Sequence, residues 1–295
     1  MSVNIQKSYS NEQASGKLYL VGTPIGNLED ITYRAVRTLR EVKWIAAEDT
    51  RQTRKLLSHF EIGTRLVSYH EHNKQASGPE LIRLIQAGDD IALVSDAGLP
   101  AICDPGFELV QLAIEADISV IPIPGANAAL SALIISGLPT DRFTFVGFPP
   151  REGKPMQQEL SSWKKAGGTI MGYESPHRIV KTLTRIAEGL GADTPLCLVR
   201  ELTKKYEEAI RGTIAECLEH LEAHPPQGEY CFILNVEGQG DEADQQSAWW
   251  RELTSQAHVG KYEADGYDRK EAIKLAALDR GVPKRELYNE LHRDR

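Results

Sequence analysis

The chain has 295 residues, of which 41% are apolar, and a formal net charge of −8. This composition supports globular cores, and the acidic balance excludes a protein that simply coats nucleic acid, while leaving room for a local basic face. The length predicts two domains and a smaller remainder.

The amino-terminal residues 1–16 are polar and lack an apolar run. We therefore expect a disordered tail rather than a signal peptide. No apolar run approaches the ~20 residues that a membrane helix needs, so a cytoplasmic protein without a membrane partner is expected. None of the four cysteines stands in a C-x-x-C spacing, and we expect reduced thiols rather than disulfides or a zinc site.

Short apolar runs alternate with helical patterns over residues 17–137, which we predict to be the first α/β domain. The predicted strands are Leu18–Val21, Trp44–Ala47, Leu66–Ser68, Ile91–Val94 and Ser119–Ile121, and helices are predicted over Thr50–Phe60, Pro79–Ala87 and Gly106–Ala116. This rhythm is typical of a mostly parallel sheet that is covered on both faces. Such sheets bind ligands at the carboxyl ends of their strands.

A stretch rich in Pro and Gly then breaks the rhythm and marks a domain boundary. Residues 138–238 alternate again and predict a second α/β domain, residues 239–248 an acidic linker, and residues 249–295 a helical module. In that module Gly281 and Pro283 separate two helices, as in a helix-turn-helix motif. A plain helical hairpin fits this spacing equally well.

Four loops marked by Gly or Pro follow predicted strands: "GTPIGN", "SDAGLPAICDPG", "PGANAA" and "YESPHR". None contains the triple glycine of a dinucleotide site or the lysine of a P-loop. Their shared position predicts one crevice for a ligand without phosphates that backbone groups hold. Gly22, Gly98 and Gly125 would allow a close approach of the backbone.

A set of motifs identifies a related family. "VGTPIGNLEDIT", "AAEDTRQTRKLL", "SYHEHN", "VSDAGLPAICDPG", "PGANAALSAL", "FVGFPP", "YESPHRI" and "GEYCFIL" together resemble the tetrapyrrole-methylase superfamily, and within it the branch that methylates ribosomal RNA. The resemblance covers residues 17–236 and extends into the helical tail. It implies two α/β domains with S-adenosyl-L-methionine in the cleft between them, commonly in a homodimer.

The same resemblance implies the reaction, which is 2′-O-methylation of a cytidine ribose in 16S rRNA of the small ribosomal subunit. Two alternatives stay open: a small-molecule methylase of the tetrapyrrole type, and a non-enzymatic RNA- or ribosome-binding factor. The run from Ser95 to Pro100 departs from the G-D-P-F of the porphyrin-methylating branch, which makes a porphyrin substrate the less favoured one.

Carried over position by position, the resemblance implies cofactor contacts in each of the marked loops and in the "RELT" stretch. These contacts are Pro24, Ser95, Asp96, Ile102, Asn127, Ala128, Glu174 and Leu202. Gly98 joins them because its missing side chain lets the backbone approach a ligand.

Charged residues that follow strands are the candidates for catalysis and for substrate binding. Asp49, His70 and Glu71 are candidates to take the proton of a poorly acidic hydroxyl. The expected substrate contacts are Glu48, Arg51, Arg54, His72, His177 and Arg178. Asp49 or Thr50 fits a helix N-cap as well. No metal is predicted, because nothing completes a zinc set around His70 and His72.

Overall fold

A computed structural model describes residues 5–6, 15–238, 250 and 253–293. Its contacts form two compact units, Met1–Trp163 with Gly168–Val236, and Lys164–Gly167 with Glu237–Arg295. The described residues leave out 1–4 and 7–14 of the predicted tail, the whole predicted linker 239–248, and residues 249, 251–252 and 294–295 of the predicted module. A division of the first unit at residue 138 stays a prediction.

Sheet 1 is a five-stranded parallel sheet with the order β3-β2-β4-β1-β5. Its strands are β1 (Leu18–Val21), β2 (Trp44–Ala47), β3 (Arg65–Ser68), β4 (Ile91–Val94) and β5 (Val120–Ile123). They are connected by α1 (Tyr33–Glu41), α2 (Thr50–His59), α3 (Lys74–Gln86) and α4 (Phe107–Glu115). The predicted parallel α/β architecture is confirmed for this half of the chain.

Both faces of sheet 1 are buried, because successive side chains of a strand point to opposite faces. In β2, Ile45 and Ala47 join the apolar cluster that includes Leu39 of α1 and Leu57 of α2. Ala46, between them, joins the cluster of α3 and α4. Neighbouring strands therefore send their helices to opposite faces, which opens a crevice at the carboxyl edge of the sheet.

Sheet 2 has the order β6-β7-β10-β8-β9, and only the β6–β7 pair is parallel. Its strands are β6 (Phe143–Phe145), β7 (Gly168–Glu174), β8 (Pro195–Arg200), β9 (Glu208–Thr213) and β10 (Tyr230–Val236). One face packs on α5 (Ala128–Ser136), and the other packs on α6 (Gly153–Ala166), α7 (Ile179–Leu190) and α8 (Ile214–Ala223). The alternation of strands and helices does not give a parallel sheet here, because β10 inserts between β7 and β8.

The carboxyl-terminal unit contains α9 (Ser255–Ala264), α10 (Arg269–Asp279) and α11 (Lys284–Arg293). Val259, Ile273 and Leu287 belong to an apolar core of its own. The two helices predicted around Gly281 are confirmed, and Gly281 has the left-handed φ of 64° that the turn requires. The third helix, α9, was not predicted. No helix in the described part of the chain is long and apolar enough to cross a membrane.

A polar network holds these helices around the fully buried His258. The Arg280 Nε–H donates to His258 Nδ1 at 3.1 Å, and His258 Nε2 lies 3.0 Å from Asp279 Oδ2. Because a guanidinium is always protonated, Nδ1 must be the acceptor and the proton sits on Nε2. Burial lowers the pKa of His258, so the ring is held neutral.

Candidate active site

A cavity of about 540 Å³ lies at the carboxyl edge of sheet 1 and is closed by loops of sheet 2, within the first unit. Loops after β1, β4 and β5 contribute Ile25, Asp96, Ala97, Gly98, Leu99, Ile102, Cys103, Asp104, Asn127 and Ala128. Sheet 2 and its loops contribute Phe148, Tyr173, Glu174, Ser175, Pro176, Val199, Glu201, Leu202, Lys204, Glu229, Tyr230 and Cys231. Apolar walls with a few polar groups are the usual composition of a small-molecule site.

The loops after β1 and β4 are joined by backbone hydrogen bonds. Thr23 N–H donates to the Gly98 carbonyl at 2.9 Å, and Gly98 N–H donates to the Thr23 carbonyl at 3.1 Å. Gly98 has a φ of 79°, which favours glycine. A Cβ at Gly22 would lie 2.8 Å from the Gly125 Cα, so those two glycines let loops pack on each other rather than on a ligand.

The structure brings seven of the nine predicted cofactor residues to this cavity: Asp96, Gly98, Ile102, Asn127, Ala128, Glu174 and Leu202. Ser95 is buried, and its hydroxyl donates to the Ala97 carbonyl at 3.3 Å. Pro24 does not line the cavity, whereas its neighbour Ile25 does. The first loop therefore contributes a wall through Ile25, and Pro24 shapes the turn that places it.

Asn127 has two separable functional groups. As the N-cap of α5, its Oδ1 accepts from Leu130 N–H at 2.9 Å. Its Nδ2 donates to no acceptor within the described part of the chain, and the residue lines the cavity. The amide group therefore caps the helix with one atom and has a donor left for a ligand.

Glu174 lines the cavity with a carboxylate whose oxygens are already bonded, and its side chain is 0% exposed. Its Oε1 accepts from Ser175 N–H at 2.8 Å, and its Oε2 accepts from the Thr182 hydroxyl at 2.7 Å. The Arg178 guanidinium lies 3.0 Å from the same Oε2 and also donates to the Pro149 carbonyl. Arg178 is thus bound to the scaffold, and its predicted substrate contact stays a prediction; His177 beside it is exposed.

Carboxylates with different pKa shifts surround the cavity edge. Burial raises the pKa of Glu48, and the negative charges of Asp104 and Asp96 raise it further. Burial likewise raises the pKa of Asp104. Hydrogen bonds from Arg51 hold the pKa of Asp49 at about 2. At neutral pH, Glu48 and Asp104 are therefore better proton acceptors than Asp49.

Asp49 is also the N-cap of α2, accepting from Arg51 N–H at 2.8 Å. Its own N–H donates to Asp96 Oδ1 at 3.0 Å, which places the start of α2 at the cavity edge. The sequence suggested two roles for Asp49, a proton acceptor and a helix N-cap. The N-cap is present, and the strong pairing with Arg51 makes this carboxylate a poor base. Arg54, one turn further along α2, is exposed.

The loop after β3 carries His70, Glu71 and His72, none of which lines the cavity. Glu71 lies 2.8 Å from Lys74 Nζ, and the His70 and His72 rings are 6.0 Å apart. The negative charge of Glu71 contributes to the raised pKa of Glu48, so the loop after β3 lies near the carboxylates at the cavity edge. The described residues contain no group of three or more His, Cys, Asp or Glu side chains that could hold a metal ion.

Several lining residues were missed by sequence reasoning. The Tyr173 hydroxyl accepts from Ala129 N–H at 3.2 Å, and burial raises its pKa to about 12. Lys204 Nζ lies 3.0 Å from Glu201 and 2.9 Å from Glu229. A Cβ at Gly26 would lie 2.5 Å from the Lys204 Cγ, so the first loop and the loop after β8 close against each other. The charged stretch that follows "REL" in the sequence was the signal that could have identified Lys204.

The sequence and the fold of the chain are similar to those of known proteins. The family model described as Tetrapyrrole (Corrin/Porphyrin) Methylases matches residues 17–218. "Ribosomal RNA small subunit methyltransferase I" of Halalkalibacterium halodurans is 54% identical over 98% of this chain and 99% of its own length. The protein of the same name from Bacillus subtilis is 52% identical over 97% and 98%. The structure is similar to a crystal structure of diphthine synthase, with a TM-score of 0.61, 14% identity, and coverage of 75% and 90%, a likeness of fold alone.

Proposed function

This chain belongs to the tetrapyrrole (corrin/porphyrin) methylase family, and we propose that it is a methyltransferase acting on ribosomal RNA of the small subunit. The relatives named for that activity support the proposal, because their identity of 54% and 52% extends over nearly the whole chain. The finer statement, transfer to the 2′-hydroxyl of a cytidine ribose in 16S rRNA, is supported by the resemblance of the motifs.

The cavity is the observation that carries the proposed cofactor, S-adenosyl-L-methionine. Its charged lining consists of one lysine, Lys204, against five carboxylates: Asp96, Asp104, Glu174, Glu201 and Glu229. Glu174 is paired with Arg178, and Glu201 and Glu229 are paired with Lys204, so Asp96 and Asp104 are the lining carboxylates without an ion pair in the described part of the chain. Such a site favours a sulfonium cation and disfavours a phosphate-bearing nucleotide. The apolar walls fit a nucleoside, to which the Asn127 Nδ2 would donate a hydrogen bond.

When bound, the cofactor supplies an electrophilic methyl group. The residues of the chain then have to orient the ribose hydroxyl and accept its proton. We assign the proton acceptor to Glu48 or Asp104, whose raised pKa values suit this role better than the pKa of about 2 at Asp49. His70 stays a candidate from the loop after β3, while Glu71 is engaged by Lys74.

The test is transfer of a labelled methyl group from S-adenosylmethionine to 30S subunits, free 16S rRNA and a porphyrinogen. We expect label on the ribosomal substrate, mapped to a ribose 2′-oxygen. Label on the porphyrinogen alone would instead indicate a small-molecule methylase. RNA binding without any transfer would indicate a non-enzymatic ribosome-binding factor. Either result would overturn the proposal.

We also propose a cytoplasmic homodimer. The ribosomal substrate supports the location, and the resemblance of the motifs supports the dimer. One helix offers further support for self-association: α5 packs Ala132 and Leu133 on sheet 2 but leaves Leu130 46% and Ile134 76% exposed. Light scattering on the purified 32.7-kDa chain measures the oligomeric state directly, and a monomer at micromolar concentration would contradict the dimer.

A further inference from the structure

The outer face of α2 carries a polar stripe with three cations, Arg51, Arg54 and Lys55, beside the candidate active site. Its members are exposed and lie three, four, seven and eight residues after Arg51, which places them on one side of the helix. This α2 stripe consists of Arg51, Arg54, Lys55, Ser58 and His59, and these residues line a shallow surface depression by themselves. The other side of α2 buries Thr53 and Leu57.

The charges of the α2 stripe are largely uncompensated. Arg51 pairs with Asp49 at 3.0 Å, yet its side chain is 85% exposed. Arg54 and Lys55 make no ion pair within the described part of the chain, and α2 itself contains no Asp or Glu. In a chain with a net charge of −8, such a stripe is a local positive surface that attracts polyanions.

The α2 stripe begins at the cavity. Asp49, the N-cap of α2, is bonded to Asp96, which lines the cavity. At a rise of 1.5 Å per residue, His59 lies about 12 Å along the helix axis from Arg51. A polyanionic strand whose reacting nucleotide lies at the cavity edge would therefore contact successive residues of the α2 stripe as the strand runs away from the cavity.

We propose that the α2 stripe binds the phosphate backbone of the single-stranded RNA segment next to the methylated nucleotide. This proposal rests on the proposed function as an RNA methyltransferase. It extends the substrate contacts expected from the sequence, Arg51 and Arg54, by Lys55, Ser58 and His59. It also assigns a direction, because Arg51 lies nearest to the reacting nucleotide and His59 lies furthest from it.

The matched pair of variants is Lys55→Gln and Lys43→Gln. Both lysines are exposed and belong to the first unit, but Lys43 precedes β2 at the amino edge of sheet 1, away from the cavity. For single strands, the logarithm of the binding constant falls with the logarithm of the salt concentration by ~0.7 per phosphate contact. One lost contact at 0.1 M salt therefore lowers affinity about fivefold, and the double variant R54Q/K55Q lowers it about 25-fold.

Binding to 30S subunits and to an oligonucleotide containing the methylated site is measured over a series of salt concentrations. We expect Lys55→Gln to weaken RNA binding about fivefold with a flatter salt dependence. Lys43→Gln should bind RNA as tightly as the wild type, and both variants should keep the wild-type affinity for S-adenosylmethionine. Methylation should show a raised KM for RNA at unchanged kcat. Equal binding by the two lysine variants would overturn the proposal.

The binding readout separates this proposal from the proposed function. RNA binding that depends on Lys55 without any methyl transfer would retain the α2 stripe and reject the enzyme. Methyl transfer with RNA binding that is insensitive to R54Q/K55Q would retain the enzyme and reject the stripe. A matching thermal unfolding midpoint in every variant shows that the exposed substitutions leave the fold intact.

Discussion

The two functional groups of Asn127 allow its roles to be separated by a pair of substitutions. Asn127→Ser retains a good N-cap for α5, because serine caps about as well as asparagine, but it removes the Nδ2 donor. Asn127→Ala removes both groups. We expect both variants to bind S-adenosylmethionine more weakly, and only the alanine variant to be less stable.

The magnitudes follow from the two hydrogen bonds. Losing the bond from Leu130 N–H to Oδ1 costs about 1 kcal/mol, which lowers the unfolding midpoint of a unit of this size by about 2–4 °C. Losing one donor to a bound ligand costs about 0.5–1.5 kcal/mol, so the Kd should rise between about twofold and about tenfold.

Calorimetric titration with S-adenosylmethionine measures the affinity, and differential scanning fluorimetry of the unliganded protein measures the midpoint. If Asn127→Ser binds as tightly as the wild type while Asn127→Ala melts earlier, Asn127 only caps α5. The inference of a free donor facing the ligand would then be refuted.

Three further predictions concern charged groups. Glu48→Gln should slow single-turnover methylation at pH 7 without weakening cofactor binding. Because burial raises the pKa of Glu48, the wild-type rate should begin to fall while the pH is still above the ordinary Glu pKa of about 4.3, and a rate that stays constant down to that pH would contradict this assignment. Glu174→Gln should lower the unfolding midpoint, because it removes the buried carboxylate that pairs with Arg178; the cost stays below the about 3–5 kcal/mol of a fully buried pair, since the Arg178 side chain is 29% exposed, and an unchanged midpoint would show that the pair is dispensable. The carboxyl-terminal unit should lose stability as the pH falls below about 6.5, because the unfolded chain takes up a proton that the buried His258 resists; proton exchange of its amides measures this, and His258→Gln should remove the effect.

The sequence predicted the strands of sheet 1 well, because each is a short apolar run buried on both faces. The prediction for β5 ended at Ile121, one residue before Pro122, whose nitrogen cannot donate to a neighbouring strand. The strand nevertheless continues to Ile123, because β5 lies at the edge of the sheet and pairs only with β1. Local propensity gave the wrong end there because the position of a strand within its sheet is a tertiary property.

Sheet 2 was less accessible to sequence reasoning. The strand β9 (Glu208–Thr213) was missed, because an edge strand with half-exposed side chains has no continuous apolar run. The order of strands was also hidden, since nothing local shows that β10 enters between β7 and β8. Such long-range pairing follows from the packing of whole elements.

Sequence reasoning likewise found some residues of the candidate site and missed others. Motif resemblance reached residues such as Asn127 and Leu202, which line the cavity. It did not reach Asp104 or Lys204, whose positions depend on how two loops fold back. The engagement of Arg178 by Glu174 could not have been predicted from their spacing of four residues, because Glu174 ends β7 and Arg178 precedes α7, so the two do not share a helix face.

The order of strands in sheet 1 has a consequence for synthesis of the chain. β1 is translated first, but its hydrogen-bonding partners are β4 and β5, and Leu18 pairs with Ile91 and Val120. At 5–20 residues per second, a gap of about 100 residues corresponds to roughly 5–20 s of translation. Until β4 follows, about 70 residues after β1, this apolar interior strand has emerged without either neighbour, and until β5 follows it lacks the second. The nascent chain therefore has a period of exposure in which chaperone binding to the β1 segment would protect it from aggregation, and a pause in translation before β5 would lengthen that period.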